Sequence, residues 1–167
     1  MKKTVGLLFM LLLLSSAGAT ESVVLGMLVS GEVAEVRVTP GQEVAAGELL
    51  VRLDDRLFRS RVAAAEARLA AARLRRTQMA QEYERARELY ERTLLSDYEL
   101  QSAEVAYREA EAARREAEHA LAVAQRELAR TRLKAPFDAR VLKVLTHVGQ
   151  AVRNDFQIQP LVEVTPK

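Results

Sequence analysis

Two alternations of apolar and polar residues divide the chain. Between Arg56 and Lys134 the apolar positions recur at steps of three and four, the helical period. One arm carries Phe58, Val62, Ala65, Leu69, Ala72, Met79, Tyr83, Ala86 and Tyr90; the second carries Leu100, Ala103, Tyr107, Ala110, Ala117, Leu121, Ala124 and Leu128. Arg76 and Arg114 stand within these stripes, where their aliphatic stems are expected to pack while their charges reach water. No proline or glycine interrupts the stretch, and Ala63-Ala64-Ala65 and Ala70-Ala71-Ala72 favour helix and close backbone approach. The break between the arms is Thr93-Leu94-Leu95-Ser96. Four residues cannot join two parallel rods of on the order of 55 Å each, so the arms are expected to fold back antiparallel. Ser96 followed by Glu99 has capping-box spacing for the return helix.

On either side of this stretch the period changes to two. Val24-Leu25 and Met27-Leu28-Val29 suggest an entering strand, Gly31 to Val38 alternates, and Leu49 to Leu53 is a short strand. Asp54 or Asp55 stands where it can cap the first helix. Ala135-Pro136 is expected to end the second helix, after which Ala139 to Leu145 and Ile158 to Val164 resume strand character. Pro40-Gly41, Gly47 and Gly149 mark turns. Gly41-Gln42-Glu43-Val44 is echoed by Gly149-Gln150-Ala151-Val152, with Thr39 and Thr146 shortly before each. A repeat on both sides of a long insertion predicts two related halves packed as a small pseudo-symmetric sandwich. Folding the arms together returns their ends to one place and lowers the closure cost of that sandwich.

The first residues add an address. Met1-Lys2-Lys3, an apolar run from Val5 to Leu14 and the small residues Ser15 to Ala19 are the parts of a secretory signal, with cleavage expected after Ala19 and an inner-membrane anchor as the alternative. The chain has no cysteine, which excludes disulfides, thiolate chemistry and lipid attachment through sulfur. Its 167 residues suffice for one modest domain with a projection. The net charge of +2 falls to near zero without Lys2 and Lys3. Glu82, Glu84, Glu88 and Glu91 alternate with Arg85, Arg87 and Arg92, the pattern of a solvated, ion-paired helix surface rather than a nucleic-acid-binding stripe.

Catalytic chemistry finds no constellation. His119 and His147 are isolated, Asp54 and Asp55 are adjacent rather than opposed across a cleft, and Ser96 has no base in reach of sequence logic. An enzyme and a metal site are therefore not expected. Tyr83, Tyr90 and Tyr107 follow the packing stripes, which argues against an aromatic-lined ligand concavity.

Gly31-Glu32-Val33, Gly41-Gln42-Glu43-Val44, Gly47 and Leu53-Asp54, then Ala135-Pro136-Phe137-Asp138, Gly149 and Val152, carry a family likeness. At these positions the chain resembles the periplasmic adaptor, or membrane fusion, proteins of tripartite efflux and secretion systems, with Ala139 where the family often has glycine. The resemblance implies an α+β fold, a split biotinyl/lipoyl-like β-sandwich interrupted by a long antiparallel α-helical coiled-coil hairpin. Its parts would be a signal peptide over 1–19, a first lipoyl-like half over 20–55, the hairpin over 56–134 with its tip near 93–96, and a second half over 135–165.

Three tip residues match the arginine, leucine and serine with which the family engages an outer-membrane channel: Arg85, Leu89 and Ser96. The implied partners are that channel, an inner-membrane transporter of RND or ABC type, and further copies of the chain. No cofactor is implied. The turn that bears a modified lysine in biotinyl and lipoyl carriers is here the hairpin entrance Asp54-Asp55-Arg56, so no covalent biotin or lipoate is expected. Lys134 then reads as a helix-end charge and Lys143 as a strand surface residue. Few residues follow the last expected strand, so the family's usual β-barrel is expected to be missing. The alternative reading is a self-associating coiled-coil structural protein, or a truncated adaptor remnant without transport activity.

Overall fold

The computed structural model describes residues 22–154 and 157–167. The expected signal segment 1–19 lies outside them. In chain order the elements are β1 (Val23–Gly26), β2 (Gly31–Val36), β3 (Glu43–Val44), β4 (Leu49–Leu53), α1 (Arg56–Glu91), α2 (Asp97–Ala129), β5 (Arg132–Lys134), β6 (Ala139–Val144), β7 (Ala151–Val152) and β8 (Pro160–Pro166). The architecture is mixed α+β: two four-stranded sheets and one long helical hairpin.

One sheet has the order β1-β8-β6-β3 and the other β5-β4-β2-β7, and every pairing is antiparallel. Each half of the sequence supplies the two central strands of one sheet and both edge strands of the other. Alternation along the strands sends one face inward, where Val33, Val44, Leu50, Leu53, Val141, Val152, Leu161 and Val164 form a shared buried core. Neither half holds enough of this core to fold alone, so the sandwich forms only when the connection between the halves brings them together.

The hairpin grows directly out of the second sheet. β4 runs into α1, α2 runs into β5, and the two strands pair, with Leu53 N–H donating to the Thr131 carbonyl at 2.9 Å. The second helix therefore ends at Ala129, five residues before the expected boundary at Lys134. Arg132-Leu133-Lys134 are good helix formers, but β4 offers them a ladder and a core contact that local propensity cannot match. Lys134 is accordingly an edge-strand residue, not a helix-end charge. β8 begins at Pro160 rather than Ile158, because its partner β1 ends at Gly26, opposite Pro160, and offers no ladder beyond it.

At the helix entrance, Asp55 occupies the N-cap position but its side chain makes no capping hydrogen bond. It is buried and paired with Arg59 at 2.9 Å. Asp54 accepts the Arg56 N–H at 3.1 Å instead, while its own N–H donates to the Glu32 carbonyl. The Arg56 side chain beside Asp54 holds that carboxyl down to about 2.

The two stripes meet along the hairpin. Phe58, Ala65, Leu69 and Ala86 of α1 and Ala110 and Ala124 of α2 are buried, and the remaining stripe residues are half-buried apart from Tyr90. Alanine on both sides keeps the rods close, as in other narrow coiled coils. Arg76 and Arg114 do not simply reach for water. Arg76 crosses the seam to Glu111 at 3.0 Å and to the Tyr107 hydroxyl at 3.1 Å, and lies over the Tyr107 ring. Arg114 brackets the same Glu111 at 2.7 Å and also pairs with Glu118, while Tyr83 stacks on Tyr107 at 5.8 Å. This polar belt sits mid-hairpin and locks its register, since a slip of one turn would separate every pair.

Candidate functional site at the hairpin tip

Charge and exposure single out the end of the hairpin farthest from the sandwich. α1 stops at Glu91 because the chain enters a left-handed residue: Thr93 has φ of 60°, the one positive value outside glycine among the described residues. Leu94 N–H donates to the Leu89 carbonyl at 3.0 Å and Thr93 N–H to the Tyr90 carbonyl at 2.8 Å. That pair of bonds is a Schellman C-terminal motif, usually built with glycine where Thr93 stands. α2 restarts at once, with Ser96 as N-cap.

Ser96 is committed to this restart. Its Oγ accepts the Glu99 N–H at 3.4 Å and donates to the Glu99 carboxylate at 2.7 Å, while the Ser96 N–H reaches the same carboxylate at 2.9 Å. The Ser96 hydroxyl, with its backbone N–H, holds the Glu99 carboxyl below the usual carboxylate range. Leu89 is half-buried and its carbonyl anchors the turn. Arg85, one helical turn before Leu89, is exposed beside Glu84 and Glu88 in a shallow groove of α1. Glu84 pairs with Arg87 at 3.2 Å, and Arg85 forms no ion pair among the described residues. The three expected residues thus stand at one end of the molecule, two on α1 and one across the turn, in unlike states: one exposed cation, one half-buried side chain, one cap.

Two further residues emerge there. Leu94 is 69% exposed and Tyr98 79% exposed, large apolar side chains at the extreme end of the projection. Both stand off the packing stripes, and that mismatch with the seam period was the signal available in the sequence. Beside them the neighbouring Asp97 carboxylate pushes the Tyr90 hydroxyl pKa up.

The turn glycines have a separate place, in the sandwich. Gly41, Gly47 and Gly149 have φ of 87°, 83° and 85°. His119 and His147 are both exposed, on α2 and after β6, and Lys143 pairs across strands with Glu163 at 3.4 Å. Among the described residues no group of three or more His, Cys, Asp or Glu side chains could hold a metal ion, and no helix is long and apolar enough to cross a membrane.

Residues 21–165 match the family of the RND membrane fusion protein barrel-sandwich hybrid domain. The chain belongs to this family. A membrane fusion protein of Streptococcus pneumoniae R6 shares the fold, with a TM-score of 0.68 at 18% identity over 87% of this chain and 61% of its own. A candidate efflux transporter of Bacteroides eggerthii DSM 20697 is 26% identical with a TM-score of 0.61, covering 89% of this chain and 40% of that protein. An uncharacterized protein of Haemophilus influenzae Rd is 33% identical over 123 residues, 74% of this chain and 28% of that relative. This membrane fusion protein chain thus spans well under half the length of the relatives from Haemophilus and Bacteroides.

Proposed function

We propose that this chain supplies the channel-facing part of a periplasmic adaptor, joining an inner-membrane transporter of RND or ABC type to an outer-membrane channel in efflux or secretion. The observation that carries the reading is the tip: a long hairpin ending in exposed Leu94 and Tyr98, with exposed Arg85, which forms no ion pair among the described residues, one turn below Leu89. An arginine offers directional charge-assisted donors to channel carbonyls or carboxylates, and an aromatic flanked by leucine offers the apolar anchor typical of interface centres. The family membership and the likeness to membrane fusion proteins support it.

In this reading the work is mechanical. The tip binds the open channel in preference to the closed one and shifts its population by that difference, while ATP or an ion gradient at the inner membrane drives transport. The sandwich corresponds to a biotinyl/lipoyl-like domain in two halves, 22–55 and 131–167, without attached biotin or lipoate, and the hairpin to 56–129. Ser96 shapes the turn, leaving Arg85, Leu89, Leu94 and Tyr98 to make the contact. The chain acts in the periplasm and is not an enzyme.

The test is site-specific crosslinking in intact envelopes from Arg85, Leu89, Leu94, Ser96 and Tyr98, with exposed residues lower on each arm as controls. Crosslinks from the tip to an outer-membrane channel are expected. Self-crosslinks alone would instead favour hairpin-to-hairpin association, a reading that draws on exposed Leu74 and Val105 along the arms.

A further inference from the structure

The two sheets are built alike, so corresponding positions can be compared, and their outer faces differ in one respect. In the first sheet the row across β6, β8 and β1 reads Lys143, Glu163, Val24. In the second the matching row across β2, β4 and β5 reads Glu35, Arg52, Arg132. Next along, Arg37 N–H donates to the Leu50 carbonyl where Leu145 N–H donates to that of Leu161 in the first sheet. The fold therefore does not require cations here. The cluster of them stands on the second sheet.

A bulge in β4 concentrates them. Leu49 opposes Lys134 and Val51 opposes Leu133, so Leu50 is the extra residue; Leu50 and Val51 both turn into the core, and Leu49 and Arg52 line the outer groove together. Arg52 and Arg132 become direct cross-strand partners, an arrangement that repels unless something negative lies between the heads. Arg59 from the first turn of α1 closes the end of the same groove.

The carboxylates present do not balance this charge. Glu35 is shared by Arg37 at 2.7 Å and Arg52 at 3.1 Å, and Asp55 is held by Arg59. Arg132 and Lys134 form no ion pair among the described residues. Among the described residues five cations thus share two carboxylates around an open groove of about 420 Å³. That is within the range of small-molecule sites.

We infer that this groove is an oxyanion site for a phosphate-class group, carried by a small phosphorylated molecule or by a lipid headgroup. A single carboxylate would gain little against water at so exposed a place. A multivalent phosphate can take forked donors from Arg52 and Arg132 at once, relieving their repulsion, with Lys134 as a further point charge. The site lies on the sandwich and stands or falls independently of channel docking at the tip.

The test uses inorganic pyrophosphate with the purified chain. Melting is followed at constant ionic strength with pyrophosphate replacing chloride, for the unaltered protein, Arg132→Gln, Lys134→Gln, and a control with Arg68→Gln and Arg75→Gln on the hairpin. Pyrophosphate is expected to raise the Tm of the unaltered protein and the control, with affinity reduced about tenfold in Arg132→Gln and less in Lys134→Gln. No rise, or an equal rise in the control and both groove variants, overturns the site. Lys134→Gln keeps the test decisive if Arg132→Gln does not fold. Co-sedimentation with phosphatidylglycerol vesicles, against phosphatidylcholine, then separates the sources: binding lost in the groove variants assigns a lipid headgroup, and its absence assigns a soluble phosphate.

Discussion

Val33 and Val141 hold the two halves of the sandwich together by the same pair of bonds. Val33 N–H donates to the Gln150 carbonyl at 2.9 Å and its carbonyl accepts the Gly149 N–H at 2.8 Å; Val141 does likewise with Gln42 and Gly41, at 2.9 and 2.8 Å. Each valine is buried, and each is clasped by the Gly-Gln turn of the opposite half. The Gln42 side chain accepts the Thr39 N–H, and the Gln150 side chain accepts the His147 N–H in the same way. The G-Q-x-V repeat is thus a reciprocal clasp rather than two separate turns.

Gly41→Ala and Gly149→Ala should each destabilise the sandwich by about 1–2 kcal/mol, by nearly equal amounts. A Cβ at either position meets no atom within 4 Å, so the cost comes from the positive φ and not from a clash. Urea unfolding followed by near-ultraviolet and far-ultraviolet signals checks both values.

Replacing residues 56–129 with a short glycine-serine loop should leave the sandwich folded. β4 and β5 already pair at the hairpin base, and a short loop closes the same gap at small entropic cost. By contrast 22–55 and 131–167 produced separately should each be unfolded, because the edge strands of each sheet come from the other half. Amide dispersion in proton NMR spectra distinguishes folded from unfolded in all three chains.

Acid should loosen the hairpin through Glu111. The Arg114 and Arg76 guanidiniums hold its carboxyl down to about 2 from an ordinary 4.5. A depressed folded-state pKa means the contribution is fully present above the ordinary value and is lost as the pH falls from there towards 2. Thermal melts of helical signal should therefore show a Tm loss across that window, smaller in Glu111→Gln, which starts lower at neutral pH.

Thr93→Gly should stabilise the tip by up to about 1 kcal/mol, the relief of left-handed strain being partly offset by the greater freedom of glycine when unfolded. Amide exchange at Leu94 and Thr93, whose N–H groups close the turn, should slow correspondingly.

Tyr98→Ala and Leu94→Ala should reduce channel crosslinking severalfold with little change in melting temperature, since both side chains are exposed. Ser96→Ala should do the reverse, costing about 1 kcal/mol of stability through loss of the capping box. Measuring crosslinking and Tm on the same variants separates contact from scaffold.

Much of this was readable in the chain itself. The stripe periods determined two helices and their antiparallel return, the S-x-x-E spacing determined the start of the second, and the two G-Q-x-V segments determined that related halves flank the hairpin, because each depends only on neighbours in sequence. Tertiary structure alone decided which strand edges each sheet, why Arg132-Leu133-Lys134 leave the helix, how Arg76 and Arg114 share Glu111, and that Leu94 and Tyr98 stand bare at the tip while Ser96 is occupied. These are pairings between residues far apart along the chain: a strand's partner, a guanidinium's carboxylate and an exposed side chain's lack of neighbours exist only once the hairpin has brought the two halves together.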